Sequence, residues 1–556
     1  MLTAYTTDQI RAAEAALMAR LPEGALMERA AAGLAAICAR TLGRVYGSRV
    51  VLLIGGGDNG GDALYAGARL ASRGARVDAI LAGSRVHGAG LEALRRAGGR
   101  VTDLRAATAG GGGTPPESEA GTGGDTTAGA SEAGGIGENT TAGASAAGGI
   151  GENTTAGGGG AGGIGGVAVA GELVRAAELV RAADLVVDGL VGIGGAGALR
   201  EPYATLAGLT AEAAGVVVAV DVPSGVDAGS GQVGGAAVRA DVTVTFGAYK
   251  IGLLVDPGAE HAGRVELVDI GLGPHLTGPE ATALTGADVA LLLPRPDAGS
   301  DKYSRGVVGV AAGSHQYTGA AVLAVGGAIR AGAGMVRYAG VAEPVAQVRA
   351  RWPEAVITPL EPGEGIEEVG RVQAWVLGPG LGTGPEALAV ARSVLATDVP
   401  VLVDADALTL VSRDRSLLRR AAPVLITPHA GELSRLLDVP RARIEARRLE
   451  HVRRAAAELG VTVLLKGSTT LVAQEGRPVR VNLTGSPWLA TGGTGDVLAG
   501  LAGALLAGGL DGYDAASCAA HLHGIAGQHG PLAAWDVVEA LPAVIRSLAD
   551  RLREGV

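Results

Sequence analysis

Short apolar runs that end in glycine or polar turns recur along the chain, with helix-like segments between them. In the first half the runs are Arg49–Ile54, Val77–Leu81, Asp184–Asp188, Val216–Val220 and Ala240–Phe246. In the second half they are Val307–Ala311, Ala374–Leu377, Pro400–Val403, Val424–Ile426 and Val461–Leu465. Each reads as a strand. Residues 1 to about 45 read as helices. Gln9, Ile10, Ala13, Ala16 and Leu17 share one face there, and Leu26, Met27, Ala30, Ala31 and Leu34 another. Further helices are predicted over Ala63–Arg73, Gly171–Ala182, the residues leading to Arg330, and Val497–Leu506. Alternation of strand and helix predicts an α/β protein of two doubly wound domains. Their boundary is the Gly- and Pro-rich break at Gly271–Glu280, with Leu291–Pro296 opening the second domain.

The pattern lapses between residues 106 and 166. Gly, Ala, Ser and Thr dominate, and a 14-residue unit recurs around the two GGIGENTT copies. Such a stretch buries too little apolar surface to offset its ordering entropy, so it is expected to be a disordered insertion in a surface loop.

Candidate chemistry gathers where the strands end. In the first half these loops are Gly55–Asp62, Gly189–Gly194, Asp221–Asp227 and Gly247–Lys250. In a parallel sheet such ends share one edge, where ligands bind, so Asn59, Asp188, Asp221, Ser224 and Lys250 are expected to converge. The strand, glycine loop and helix around Asp58-Asn59-Gly60-Gly61-Asp62 predict a phosphate cradle, with acidic and amide groups that suit a cation or hydroxyls. In the second half the strand ends deliver Gly313–Ala321, Gly378–Gly382, Asp404–Leu408, Thr427–Glu432 and Lys466–Thr470. The most telling stretch is Thr491-Gly492-Gly493-Thr494-Gly495-Asp496, just before an apolar helix. Glycines let the backbone approach a ligand, and the helix N-terminus offers N–H groups to an anion. A carboxylate is a poor phosphate binder, so Asp496 at that mouth reads as a base or a magnesium-water contact beside a transferring phosphoryl group. A plain helix cap is the alternative.

Composition narrows the field. A net charge of −10 without a basic block argues against nucleic acid and anionic membranes as partners. No apolar run reaches the ~18 residues of a membrane span. Cys38 and Cys518 are the only cysteines, which excludes a disulfide framework and fits a reducing cytoplasm. Arg serves nearly everywhere a cation is needed; the only lysines are Lys250, Lys302 and Lys466. They mark places where a compact point charge is required.

Taken together, these motifs resemble a known pair of families. Residues 1–275 resemble the NAD(P)HX epimerase domain through MERAA (Met27–Ala31), DNGGD (Asp58–Asp62), the Asp188 loop, DVPSGVD (Asp221–Asp227) and TVTFGAYKIGL (Thr243–Leu253). Residues 281–556 resemble the ADP-dependent NAD(P)HX dehydratase through GSHQYTGAA, LGPGLG, DADAL, TPHAGE, LKGSTT and TGGTGDVLAG. The resemblance implies a Rossmann-like three-layer sandwich followed by a ribokinase-like one. It implies conversion of R- to S-NAD(P)HX, then ADP-dependent dehydration to NAD(P)H with release of AMP and phosphate, by a cytoplasmic homo-oligomer. Substrate contacts in the first domain would be Asp58, Asn59, Gly60, Gly61, Asp62, Gly192, Ile193, Gly194, Gly195, Ala196, Gly197, Ala198 and Asp221. Asp221 would stand near the reacting ring, and Asn59, Asp188 and Ser224 would hold potassium. In the second domain Ala320, Gly382, His429 and Asp496 would meet the hydrated cofactor. Lys466, Gly467, Ser468, Thr469, Thr470 and Gly495 would meet the nucleotide, with magnesium, and Asp496 would be the base. The family pattern has an asparagine where this chain has Asp58, and a hydroxyl residue where it has Ile193. Two other readings are a ribokinase-like small-molecule kinase with a regulatory first domain, and a first domain that only binds nucleotide or assembles the protein.

Overall fold

The computed structural model describes residues 1–105 and 164–553. The expected insertion at 106–166 therefore lies almost wholly outside the described residues. Where description resumes, a helix runs Ile164–Arg181, starting earlier than the predicted Gly171.

Two sheets organise the chain. The first has seven parallel strands, in spatial order Arg100–Asp103, Arg76–Leu81, Arg49–Ile54, Leu185–Gly189, Val216–Val220, Val242–Phe246 and Arg264–Val268. Chain order reverses between Arg49–Ile54 and Leu185–Gly189, which is where a doubly wound sheet opens a crevice. The strand Arg49–Ile54 is buried from Val50 onward, because helices cover both faces of the sheet.

The second sheet has twelve strands. Seven are parallel and repeat the same winding: Val356–Pro359, Met335–Gly340, Val307–Ala311, Ala374–Leu377, Val401–Val403, Val424–Ile426 and Thr462–Leu465. Thr470–Ala473 and Val479–Asn482 then add antiparallel, and Ala281–Ala283 pairs parallel with Val479–Asn482. The last two strands come from the first half of the chain. Leu2–Tyr5 pairs antiparallel with Ala281–Ala283, and Tyr249–Lys250 pairs parallel with Leu2–Tyr5. The N-terminal ammonium meets Asp288 at 2.8 Å. The two halves are thus stitched together by backbone pairing, and not only by a linker.

Several boundaries differ from the sequence pattern. Leu2–Tyr5 is a strand rather than helix, since its pairing partner lies some 280 residues away, beyond the reach of local periodicity. The helix predicted from Ala63 begins at Asp58, so DNGGD forms its first turns and not a loop before it. The final glycine motif is likewise absorbed: the helix is Thr494–Ala507, entered through Gly493 at φ +91°, a left-handed conformation that glycine adopts without penalty. In the second half, the strand Ala281–Ala283 and the helix Gly286–Leu292 both begin ahead of Leu291–Pro296, the segment expected to open that domain. Among the described residues no helix is long and apolar enough to cross a membrane. Cys38 and Cys518 are both free and buried.

Candidate active sites

The first site forms at the crevice of the seven-stranded sheet. Asp188, at the end of its strand, is fully buried. Its Oδ1 accepts from Ser224 Oγ at 2.7 Å and Leu190 N at 3.2 Å, and its Oδ2 from Ser224 N at 2.8 Å. Those partners are neutral, and burial pushes the carboxyl up to about 6. Asn59, in the first turn of its helix, donates from Nδ2 to Val220 O at 2.5 Å. Its Oδ1 faces Gly192 so closely that a β-carbon there would lie 2.4 Å away. Asn59, Asp188 and Ser224 therefore converge as expected. A buried carboxylate with no countercharge, flanked by amide and hydroxyl oxygens, has the donor chemistry of an alkali-cation site.

Asp221 adopts φ +67°, which turns its side chain back toward the strand end that follows. Its Oδ1 accepts from Lys250 Nζ at 2.5 Å, Phe246 N at 3.0 Å and Thr245 Oγ1 at 3.3 Å. Lys250 is 1% exposed, a buried point charge of the kind the lysine-poor composition marked out. Asp62 is buried with Oδ1 unpartnered. Burial, then Asp221, Asp58 and Glu14, hold its carboxyl well above the usual range. Burial also raises Glu14, with Lys250 opposing. Glu14 comes from the Thr7–Met18 helix, and nothing in its local sequence announced a place in this cluster. Gly192, Gly195, Ala196, Gly197 and Ala198 line an adjoining cavity of about 250 Å³, with Tyr203 and Pro223 across from them. Asp58, Asp62 and Asp221 lie outside that lining. Ile193 packs against the apolar core.

The second site is larger, a cavity of about 570 Å³. Of the expected residues, His429, Lys466, Gly467, Ser468, Thr470 and Gly495 line it. Lys466, whose side chain is 21% exposed, bonds Asp404 at 2.8 Å and reaches Glu432 at 3.8 Å. Burial works against its ammonium, but Asp404, Glu432 and Asp496 outweigh that and raise its pKa. Asp496 lies in the first turn of the Thr494–Ala507 helix, which has no side-chain cap bond, so its carboxyl is not spent as a cap. Burial, then Asp404, push it up to about 7 against the pull of Lys466. His523 donates from Nε2 to Thr494 O at 2.9 Å and steadies that turn; burial pushes it down to about 4, so it is neutral.

His429 does cap a helix. Its Nδ1 accepts from Gly431 N at 2.9 Å and Glu432 N at 3.2 Å, and its Nε2 lies 3.6 Å from Glu432 Oε1. Burial lowers its pKa, helped by Lys466. Ala320 and Gly382 lie at the crevice of the second sheet, away from this cavity. A β-carbon on Gly380 would sit 2.7 Å from the Ala320 methyl, and Gly382 N donates to Asp406 Oδ2 at 2.8 Å. Thr469 does not line the cavity; its N–H and hydroxyl bond Asp256 Oδ2 at 2.8 and 2.7 Å. Arg448 went unmarked by the sequence pattern, yet it lies beneath the Lys466 loop. Among the described residues no group of three or more His, Cys, Asp or Glu is arranged to hold a metal ion.

Comparison with known proteins finds relatives along most of the chain. A family model described as NAD(P)H-hydrate dehydratase matches residues 308–545, and one described as YjeF-related protein N-terminus matches 23–112 and 162–252. The bifunctional NAD(P)H-hydrate repair enzyme Nnr of Mycobacterium tuberculosis is 42% identical over 520 residues, covering 92% of this chain and 91% of that one. The enzyme of the same description from Salinibacter ruber is 33% identical, over 96% of this chain and 94% of its own. Among solved structures, an ADP/ATP-dependent NAD(P)H-hydrate dehydratase from Bacillus subtilis aligns with 48% of this chain and 98% of its own, at 32% identity and a TM-score of 0.45.

Proposed function

The chain belongs to the family of bifunctional NAD(P)H-hydrate repair enzymes, and from that premise we infer how its two sites divide the work. It repairs nicotinamide cofactors damaged by hydration: the R epimer is converted to S, and S-NAD(P)HX is dehydrated to NAD(P)H at the expense of ADP. In this reading residues 1–275 are the epimerase and 281–556 the dehydratase.

In the epimerase, Asn59, Asp188 and Ser224 would hold a potassium ion, whose charge compensates the buried carboxylate and ties the strand-end loops together. Residues 58–62 and 192–198 would cradle the dinucleotide. Asp221, ion-paired with Lys250, would stand beside the reacting ring as an acid/base or positioning group.

In the dehydratase the difficulty is the leaving group, since hydroxide leaves poorly and phosphate leaves well. Asp496 takes the proton of the substrate hydroxyl as its oxygen attacks the β-phosphorus of ADP. The new O–P bond forms as the bond to AMP breaks. Phosphate then leaves the ring carbon while the adjacent carbon gives up a proton, which restores the double bond. The amides of Gly493 and Gly495 would stabilise the transferring charge, on the order of 3 kcal/mol per donor, while the Thr494 N–H donates to Thr491 O at 3.3 Å. Lys466 to Thr470, with Gly495, would hold the nucleotide. His429, Gly382 and Ala320 would hold the hydrated cofactor. Magnesium would enter on the nucleotide's phosphates and neutralise them, since this ion usually takes only one or two protein carboxylates.

The observation that carries this reading is Asp496, raised to about 7 in the first turn of a helix whose Thr494 and Gly495 line the cavity with Lys466. A general base works best near the operating pH. The test supplies mixed R- and S-NADHX with Mg²⁺, K⁺ and ADP and follows the NADH absorbance band. The wild type should convert both epimers faster than they interconvert spontaneously. Asp496→Asn should stop NADH formation while R and S still exchange. NADH formation at the wild-type rate by Asp496→Asn would remove the base from the mechanism.

A further inference from the structure

The wall of the larger cavity is not built by the second domain alone. Asp256, Pro257 and Glu260 line it together with Lys466, Gly467 and Ser468. Asp256 follows closely on Lys250, the buried lysine of the first site, along a strand and a 3-10 turn. It is 7% exposed. Its Oδ2 accepts from Ser468 Oγ at 2.7 Å, Thr469 N at 2.8 Å and Thr469 Oγ1 at 2.7 Å. Its own N–H returns a bond to Thr469 Oγ1 at 3.1 Å.

The same loop is gripped from its other edge. Arg448 Nη2 donates to the carbonyls of Lys466 at 3.0 Å and of Leu465 and Thr469 at 3.3 Å. Arg448 thus takes the loop's acceptors and Asp256 takes the donors of Ser468 and Thr469 side chains and the Thr469 amide. Among the described residues nothing accepts from the N–H groups of Gly467 and Ser468, and both residues line the cavity. Two open amides beside the Lys466 ammonium, facing a helix N-terminus, suit a phosphate chain.

We propose that the first domain completes the nucleotide pocket of the second, with Asp256 as the positioning residue that sets the Lys466–Thr470 loop to receive a nucleoside diphosphate. The proposal rests on the assignment of this cavity to the nucleotide. Asp256 acts through the loop: with its carboxylate in place, the hydroxyls and the Thr469 amide are engaged and the Gly467 and Ser468 amides are left for the ligand. Without it, those donors are unsatisfied and the loop loses its single arrangement, so nucleotide binding must supply the ordering.

The experiment uses the full chain. Asp256→Ala and Asp256→Asn are compared with wild type for KM of ADP, KM of S-NADHX, kcat and the rate of epimerisation. Asp256→Ala should raise KM for ADP roughly tenfold, as expected for losing a charged acceptor of several hydrogen bonds, with kcat, KM for S-NADHX and epimerisation within twofold of wild type. Asp256→Asn, whose amide oxygen still accepts, should recover most of the loss. Should Asp256→Ala fail to fold, Thr469→Val removes a hydroxyl from the other side of the same contact and should also raise KM for ADP selectively. Unchanged KM for ADP in Asp256→Ala overturns the proposal. So does equal damage by Ala and Asn, or a parallel loss of both activities, since either would mark a purely structural contact. Ala490→Trp tests the cavity itself: Ala490 is an exposed lining residue, and the indole would fill the space. If Ala490→Trp weakens ADP and Asp256→Ala does not, the inference about Asp256 fails alone. If Ala490→Trp leaves ADP binding untouched, the nucleotide assignment falls and the inference with it.

Discussion

Removing the Lys466 charge should move the pH dependence of dehydration, because the two groups share one electrostatic neighbourhood. The Asp496 carboxyl is held near 7 by burial and by Asp404 and Asp406, while Lys466 pulls the other way. If the ionised form is the base, kcat/KM for S-NADHX at saturating ADP follows the ionised fraction of the enzyme–ADP complex. That fraction is roughly one-eleventh at one unit below the midpoint and ten-elevenths at one unit above. Between pH 6 and pH 8 the wild type should therefore gain about tenfold in kcat/KM, a barrier change of about 1.4 kcal/mol. Lys466→Met deletes the only lowering influence resolved on Asp496. Its midpoint should rise above about 7, so that the variant loses most at low pH and recovers part of its rate at high pH. The assay is the initial rate of NADH formation at subsaturating S-NADHX and saturating ADP, buffered from pH 5.5 to 9. Saturating ADP separates the shift from any loss of nucleotide affinity. A flat profile in the wild type, or a midpoint that moves down in Lys466→Met, refutes the reasoning.

Other expectations follow from the same contacts. Potassium should raise the thermal midpoint relative to the same concentration of a bulky organic cation, by about 2.7 kcal/mol of stability at a hundredfold excess over its dissociation constant; Asp188→Asn should abolish the response. Lys250→Met strands Asp221 as a buried charge without its cation, at a cost of about 3–5 kcal/mol; a lowered urea midpoint checks this, and epimerisation should fall with it. Gly467→Ala should raise KM for ADP about tenfold, since a β-carbon there would lie 2.2 Å from Arg448 Nη2, and displacing that guanidinium strips the loop of charge-assisted bonds. A KM unchanged by Gly467→Ala would show that the loop accommodates the methyl.

Much of this protein was legible in its residues. Apolar runs such as Arg49–Ile54 and Val307–Ala311 announced strands because both faces of a parallel sheet are covered, so burial leaves an unbroken mark. The rarity of lysine pointed to Lys250, Lys302 and Lys466; the first and last sit in buried or half-buried ion pairs where a compact cation is needed, whereas Lys302 is exposed over the Tyr303 ring and did not follow the rule. The convergence of Asn59, Asp188 and Ser224 followed from strand ends sharing one edge. Local pattern was silent wherever the partner is distant in sequence. Leu2–Tyr5 carries no strand signature of its own and becomes one only by pairing with Ala281–Ala283. Glu14 looks like any polar helix residue until the fold sets it beside Asp58, Asp221 and Lys250. Asp256 and Arg448 read as an ordinary turn and an ordinary surface cation, yet they hold opposite edges of one loop. Sequence alone thus determined which segments become strands and helices and which residues are chemically equipped, because propensity and burial act within a few residues. The tertiary structure decided which of those groups meet, how burial sets Asp496 and Asp188, and that the two halves share a sheet and a cavity wall, because desolvation and hydrogen bonding depend on neighbours that only folding brings into contact.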